Sequence, residues 1–191
     1  HNAYALSRWA AGGLPHTRAN VYSAGVMKTI LLLRHAKSSW KDAGLSDHAR
    51  PLNKRGLRDA PRMGRLIAEQ RLEPELILSS SAVRAMRTAQ AVADAINDAT
   101  PLVEEDELYL ASPGAYIDTA RYLEESFQRI LFVGHNPGIS ELLYVLTGCD
   151  TVMPTAALAQ IELPINQWKG LSPQIEGRLV TLWRPKELDA P

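Results

Sequence analysis

Four residues in three separate blocks carry most of the chemistry visible in this chain. Arg34 and His35 end the apolar run "ILLLRHAKSSW" (30–40), Arg84 lies in "SSAVRAMRTA", and His135 lies in "VGHNP". A guanidinium presents a planar fork of donors that matches phosphoryl oxygens, and it keeps its charge at any working pH. A neutral imidazole can attack phosphorus, and a covalent phosphoenzyme divides one hard displacement into two easier ones. A second imidazole, across the phosphoryl group, can donate to the equatorial oxygens as charge shifts. The set points to phosphoryl transfer. His35 is the expected nucleophile, Arg34 and Arg84 the phosphate clamp, and His135 the stabiliser of the transition state. Ser38 and Asn136 join Arg34, Arg84 and His135 in the expected substrate-binding set.

Each residue alone has an ordinary reading. His35 can be a plain strand-end histidine, and Arg34 a surface cation paired with Asp47 or Glu107. Arg84 shares its helix with Arg87, and Gly134-His135-Asn136-Pro137 can be only a strand-to-helix turn. The joint reading depends on the elements that position all four.

Residues 28–33 are a short apolar, partly β-branched run, expected as a strand buried on both faces. Asn53 can cap a helix reaching to about residue 70, with Leu57, Ala60, Met63 and Ile67 as its apolar stripe. Pro61 should kink or divide that helix, because it removes a backbone donor. A second strand is expected over 75–79, with Ser80 and Ser81 as caps of a helix over 82–97. A weak strand follows near 102–104, and Pro113 can open a helix ending near 126. The opening design returns at 129–133, a strand running into Gly134-His135. Asn136 is the expected cap there, with Pro137 at the first helical position and Gly148 as the stop. Runs at 158–163 and 178–183 read as a hairpin closing the sheet. Alternating strands and helices predict an α/β three-layer sandwich with a mainly parallel sheet. Such sheets bind ligands beyond the carboxyl ends of their strands, and Arg34-His35, Arg84 and His135 all follow predicted strands.

The 191 residues suffice for one domain with a real core. Apolar residues make up 46%, and 21 basic side chains balance 21 acidic ones, which suggests neither nucleic acid nor a membrane as partner. No apolar stretch approaches the roughly 20 residues of a membrane span. Cys149 is the only cysteine, so no intrachain disulfide can form, which fits a cytoplasmic setting. No credible metal-ligand spacing is present, and no metal or cofactor is expected. The first 26 residues are read as an arm, tag or upstream extension, and 27–191 as a single domain.

These blocks together resemble the histidine phosphatase superfamily, the group that includes cofactor-dependent phosphoglycerate mutases. "LLLRHAKS" resembles its Arg-His-Gly signature, "SSAVRAMRTA" its second arginine block, and "VGHNP" the block with its second histidine. "RHAKSSW", "RPLNKRGLRDAPRMG" and the sparse layout are most similar to the SixA-type phosphohistidine phosphatase branch. The resemblance implies the phosphoglycerate mutase-like fold and a phosphohistidine enzyme intermediate. Its substrate would be a phosphohistidine-bearing protein or a small phosphorylated molecule. Ala36 replaces the family's glycine, and Lys37 and Lys41 stand where mutases usually carry Glu and Asn, which favours phosphatase over mutase. For the general acid the resemblance offers two carboxylates: Glu107, where larger family members supply theirs, and Asp47, suggested by the SixA branch. Glu107 is the favoured one. A broad phosphomonoesterase and a non-catalytic phosphate-recognition module are the competing readings.

Overall fold

The computed structural model describes residues 27–96 and 100–189; the expected arm at 1–26 and the helix end at Asn97 lie outside them. Six strands form one sheet: β1 (Lys28–Arg34), β2 (Leu76–Ser80), β3 (Leu102–Glu105), β4 (Arg129–Gly134), β5 (Leu158–Leu163) and β6 (Arg178–Trp183). Their order is β3-β2-β4-β1-β5-β6. The first four pair in parallel, whereas β5 runs antiparallel to β1 and β6 antiparallel to β5. Among the described residues, four α-helices accompany them: α1 (Lys54–Glu69), α2 (Val83–Ile96), α3 (Pro113–Arg121) and α4 (Gly138–Thr147).

Two-residue alternation along β1 makes the three layers. Leu31 and Leu33 pack with Ala60, Met63 and Ile67 of α1 and with Ala85, Ala89 and Val92 of α2. Ile30 and Leu32 face the other way, onto Tyr116 and Ile117 of α3 and Ile139 and Leu142 of α4. A strand covered on both faces is apolar where both layers cover it, which is why residues 30–33 of β1 show no polar alternation. The α/β sandwich with a mainly parallel sheet is thus the observed architecture.

Several local expectations need correction. Helix α1 is not divided at Pro61. The carbonyl left without a donor is that of Leu57, four residues back, and Leu57 sits on the solvent side at 62% exposure. Leu57 therefore leaves the predicted stripe, and Gly56, Asp59 and Gly64 join the buried face. The helix opened by Pro113 stops at Arg121 rather than near 126. Buried Lys28 draws the following segment away, its Nζ donating to the carbonyls of Glu125 and Phe127 at 2.7 Å each. Asn136 does not cap α4, which starts after Pro137. Its side chain is engaged elsewhere, with Oδ1 accepting from Ser140 Oγ and Nδ2 donating to the Met153 carbonyl.

Candidate active site

Parallel register brings the two histidines side by side. Arg34 of β1 is paired with Gly134 of β4, and the His35 N–H donates to the Gly134 carbonyl at 3.0 Å. Each strand then releases its histidine at the same sheet edge, where the two rings stand 4.9 Å apart, centre to centre. Ser79 of β2 is paired with Val133, so Ser80 falls beside His135. Gly134 is required by close approach: a Cβ there would lie 1.9 Å from the Tyr116 hydroxyl packed beneath the turn. Gly56 has a similar reason, since a Cβ would meet the Lys37 carbonyl at 2.2 Å. That contact seats the loop after His35 against the first turn of α1.

The hydrogen bonds assign a proton to each ring. His35 Nδ1 lies 2.8 Å from the Ala36 carbonyl, which can only accept, so the proton of the neutral ring sits on Nδ1. Nε2 is left unprotonated, its lone pair accepting a long hydrogen bond from the Arg84 Nε–H at 3.4 Å. In His135 the pattern is reversed. Nδ1 faces an Arg84 nitrogen at 3.3 Å, and a guanidinium only donates, so the proton sits on Nε2, 2.8 Å from Ser80 Oγ. Burial lowers the His35 pKa to about 4, assisted by the charges of Arg84, Arg34 and Arg50 and opposed by the bond to Ala36. Burial likewise lowers His135 to about 3, with His35 and Arg84 adding to it. Both rings are neutral at pH 7.

Arg84, almost fully buried, is the hub. Besides the two histidines it donates to the Asp47 backbone carbonyl and, at 2.9 Å, to Asp47 Oδ2. The same carboxylate accepts from the Tyr109 hydroxyl at 2.8 Å and pairs with Arg50 at 3.1 Å. Partial burial pushes the Asp47 carboxyl upward. The Tyr109 and Arg84 hydrogen bonds and the Arg84 and Arg50 charges outweigh that push, and the pKa ends below the ordinary carboxylate value. Arg50 also donates to Ser38 Oγ and lies over the Trp40 ring, 3.3 Å from its centre. Arg34 donates to the Met153 carbonyl at 2.9 Å. Among the described residues, the Nε atoms of Arg34 and Arg50 are buried without a hydrogen-bond partner. Three guanidiniums thus meet at one edge with donors to spare, an arrangement suited to a multivalent oxyanion.

Among the expected site residues, the structure brings His35, Arg84 and His135 into mutual contact. It places Arg34 and Ser38 at the same edge through Met153 and Arg50. Asn136 is turned toward Ser140 and Met153. Glu107 stands apart: it is exposed on the 3-10 turn Asp106–Leu108, and among the described residues no hydrogen bond or ion pair joins it to the cluster. That turn buries Leu108 and sends Tyr109 back to Asp47, so the carboxylate that reaches the cluster is Asp47. Arg50 and Tyr109 were not anticipated. Arg50 opens the quoted "RPLNKRGLRDAPRMG" block, which was its available signal; Tyr109 had none.

Arginines around paired histidines, at the carboxyl edge of a parallel sheet, form an arrangement whose chemistry suits phosphoryl transfer. Residues 30–118 match the family model described as histidine phosphatase superfamily (branch 1). An uncharacterized chloroplastic protein of Arabidopsis thaliana is 30% identical over 158 residues, 77% of this chain and 72% of that one. An uncharacterized protein of Mycobacterium tuberculosis is 32% identical over 153 residues, 74% and 92% of the two chains. Among solved structures, the putative phosphohistidine phosphatase SixA from Agrobacterium tumefaciens is 31% identical with a TM-score of 0.71, covering 83% of this chain and 98% of that one. The protein histidine phosphatase SixA complexed with tungstate shares the fold at 24% identity and TM-score 0.73, over 84% and 99%. The chain belongs to the histidine phosphatase superfamily. It is a hydrolase of the phosphatase class, with SixA-type structures among its neighbours.

Proposed function

We propose that this phosphatase removes phosphoryl groups from phosphohistidine side chains of proteins, with His35 as nucleophile. The observation that carries the proposal is the His35 tautomer. Its proton is held on Nδ1 by the Ala36 carbonyl, Nε2 is unprotonated and accepts only the long 3.4 Å bond from Arg84 Nε, and burial keeps the ring neutral. Attack forms the Nε2–P bond as the substrate's N–P bond breaks. The leaving imidazole nitrogen keeps the electron pair and takes a proton from solvent. Water then attacks phospho-His35, loses a proton to solvent and releases inorganic phosphate. Arg34, Arg84 and Arg50 neutralise the phosphoryl oxygens, and Ser38 orients Arg50. An arriving anion raises the proton affinity of His135, which gains a second proton and donates to the equatorial oxygens.

The favoured substrate class follows from the proton donor. An ester's alkoxide leaves poorly unless an acid protonates it, whereas a protonated phosphoramidate nitrogen leaves readily. Glu107 is outside the cluster, and Asp47 is held as a carboxylate by two arginines and a tyrosine. In that state Asp47 positions Arg84 and is no acid. A small-molecule phosphomonoesterase would use the same residues but needs that acid. Placement in a reducing compartment such as the cytoplasm is supported by the single Cys149. No helix of the described residues is long and apolar enough to cross a membrane.

The test uses wild type and His35→Ala with a histidine-phosphorylated protein and with p-nitrophenyl phosphate. Wild type should carry acid-labile, alkali-stable phosphate and prefer the phosphohistidine substrate. Undiminished turnover by His35→Ala refutes the nucleophile assignment. Alkyl phosphates turned over as well as phosphohistidine refute the substrate class.

A further inference from the structure

Directly beside the catalytic edge lies a shallow groove of about 500 Å³ that the chemistry above does not use. One wall is the start of α4, with Asn136, Pro137, Glu141 and Tyr144; the other is the segment carrying Asp150 and Val152. Asn136 follows His135 in the chain, and the Met153 carbonyl accepts from both Asn136 and Arg34. Groove and phosphoryl site therefore share a wall.

The wall is held firmly. Met153 is fully buried, and its N–H donates to Ser140 Oγ, whose hydroxyl in turn donates to Asn136. On that anchored segment Val152 points outward at 73% exposure, and Tyr144 across the groove is 55% exposed. Val152 and Tyr144 thus form an exposed apolar strip along the groove. The rim is acidic. Glu141 and Asp150 are both exposed, and among the described residues neither is in an ion pair. Glu141 has an ordinary reason to be there, in the first turn of α4, where a negative charge suits the helix dipole. Asp150 has none of that kind.

The charge pattern selects the occupant. The phosphoryl end of a ligand meets Arg34, Arg50 and Arg84, and the part beyond it meets two carboxylates and an apolar strip. We infer that this groove docks the polypeptide that bears the phosphohistidine, taking a neighbouring segment with an apolar side chain beside a lysine or arginine. The inference rests on the phosphohistidine phosphatase reading and deepens it by naming a substrate class. Rim charges of this type set orientation and partner choice more than raw affinity.

The test uses two synthetic phosphohistidine nonapeptides, one with Leu and Lys beside the phosphohistidine and one with Leu and Glu. Phosphoramidate, too small to reach the groove, reports on the chemistry alone. Wild type should favour the Lys peptide by about tenfold in kcat/KM, as expected for two charges in partly screened contact. Glu141→Lys with Asp150→Lys should reverse the preference, and the near-isosteric Glu141→Gln with Asp150→Asn should abolish it. Tyr144→Ser and Val152→Ser should each raise KM for both peptides about fivefold, the effect of losing part of an apolar contact. Phosphoramidate turnover should stay within about twofold of wild type in every variant. An unchanged peptide preference in both charge variants overturns the docking role. So does a fall in phosphoramidate turnover that matches the fall for peptides. Hydrolysis of phosphoramidate but of neither peptide by wild type refutes the protein-substrate reading itself, and the docking role with it.

Discussion

Two cations stand at opposite ends of β1 and are treated in opposite ways. At the start, Lys28 is fully buried, with Nζ donating to two carbonyls, 3.9 Å from the Glu125 carboxylate and 5.4 Å from the centre of the Trp168 ring. Its charge and donors are largely satisfied within the protein. At the other end Arg34 has, among the described residues, one carbonyl acceptor and a buried Nε with no hydrogen-bond partner, and burial lowers its pKa. Around it stand Arg84 and Arg50, with Asp47 as the carboxylate that meets them. A buried charge costs several kcal/mol unless it is paired. The satisfied end is therefore structural, and the under-satisfied end is the one that the proposed function assigns to the phosphoryl group.

That contrast can be broken from either end. The largest effect is expected for His35→Ala, which should lower turnover by on the order of 10³-fold or more while the protein still unfolds cooperatively; steady-state assays beside chemical denaturation check it. Next, Arg34→Ala should lower kcat/KM by on the order of 10²-fold with little loss of stability. Lys28→Ala should do the converse. It leaves two carbonyls and Glu125 without their cation, costs on the order of 3 kcal/mol in urea unfolding, and leaves kcat of the folded fraction unchanged. If both substitutions destabilise alike and both spare activity, the contrast between the two ends is wrong.

A smaller effect is expected from pH. His35 and His135 titrate at about 4 and 3 when folded, against about 6.5 in the unfolded chain. Between those values the unfolded state binds more protons, so the stability present above pH 6.5 is lost as pH falls toward the folded values. From pH 7 to pH 5 the loss should be on the order of 2 kcal/mol per histidine, and His35→Ala should remove its share. Denaturant titrations at the two pH values decide this. The acidic limb of kcat/KM should appear only near pH 4, where His35 gains its second proton. Least affected should be Trp40→Ala. With the residue 72% exposed and its ring stacked under the Arg50 guanidinium, its effect on stability should stay within about 1 kcal/mol.

The strands were readable because burial on both faces leaves an uninterrupted apolar run, as at β1 and β4. Helix α1 was readable through its cap, since Asn53 does accept from the Gly56 N–H. Its exposed Leu57 was not, because a single apolar residue near the edge of a stripe carries no sign of which way the helix is rolled. The halt of α3 at Arg121 depends on a lysine more than 90 residues earlier in the chain, which no local pattern expresses.

The candidate site divides in the same way. The sequence by itself determined which residue types were available, and that the two histidines and the Arg34 and Arg84 guanidiniums follow three strands. Periodicity and strand-end chemistry are local properties, so those residues could be recognised before the fold was known. Only the tertiary structure decided that Asp47 rather than Glu107 reaches Arg84, that Arg50 and Tyr109 join them, and which nitrogen of His35 is unprotonated. Those outcomes depend on where a loop, an edge strand and a backbone carbonyl lie in space, and contacts across 37 to 62 residues of chain leave no periodic trace.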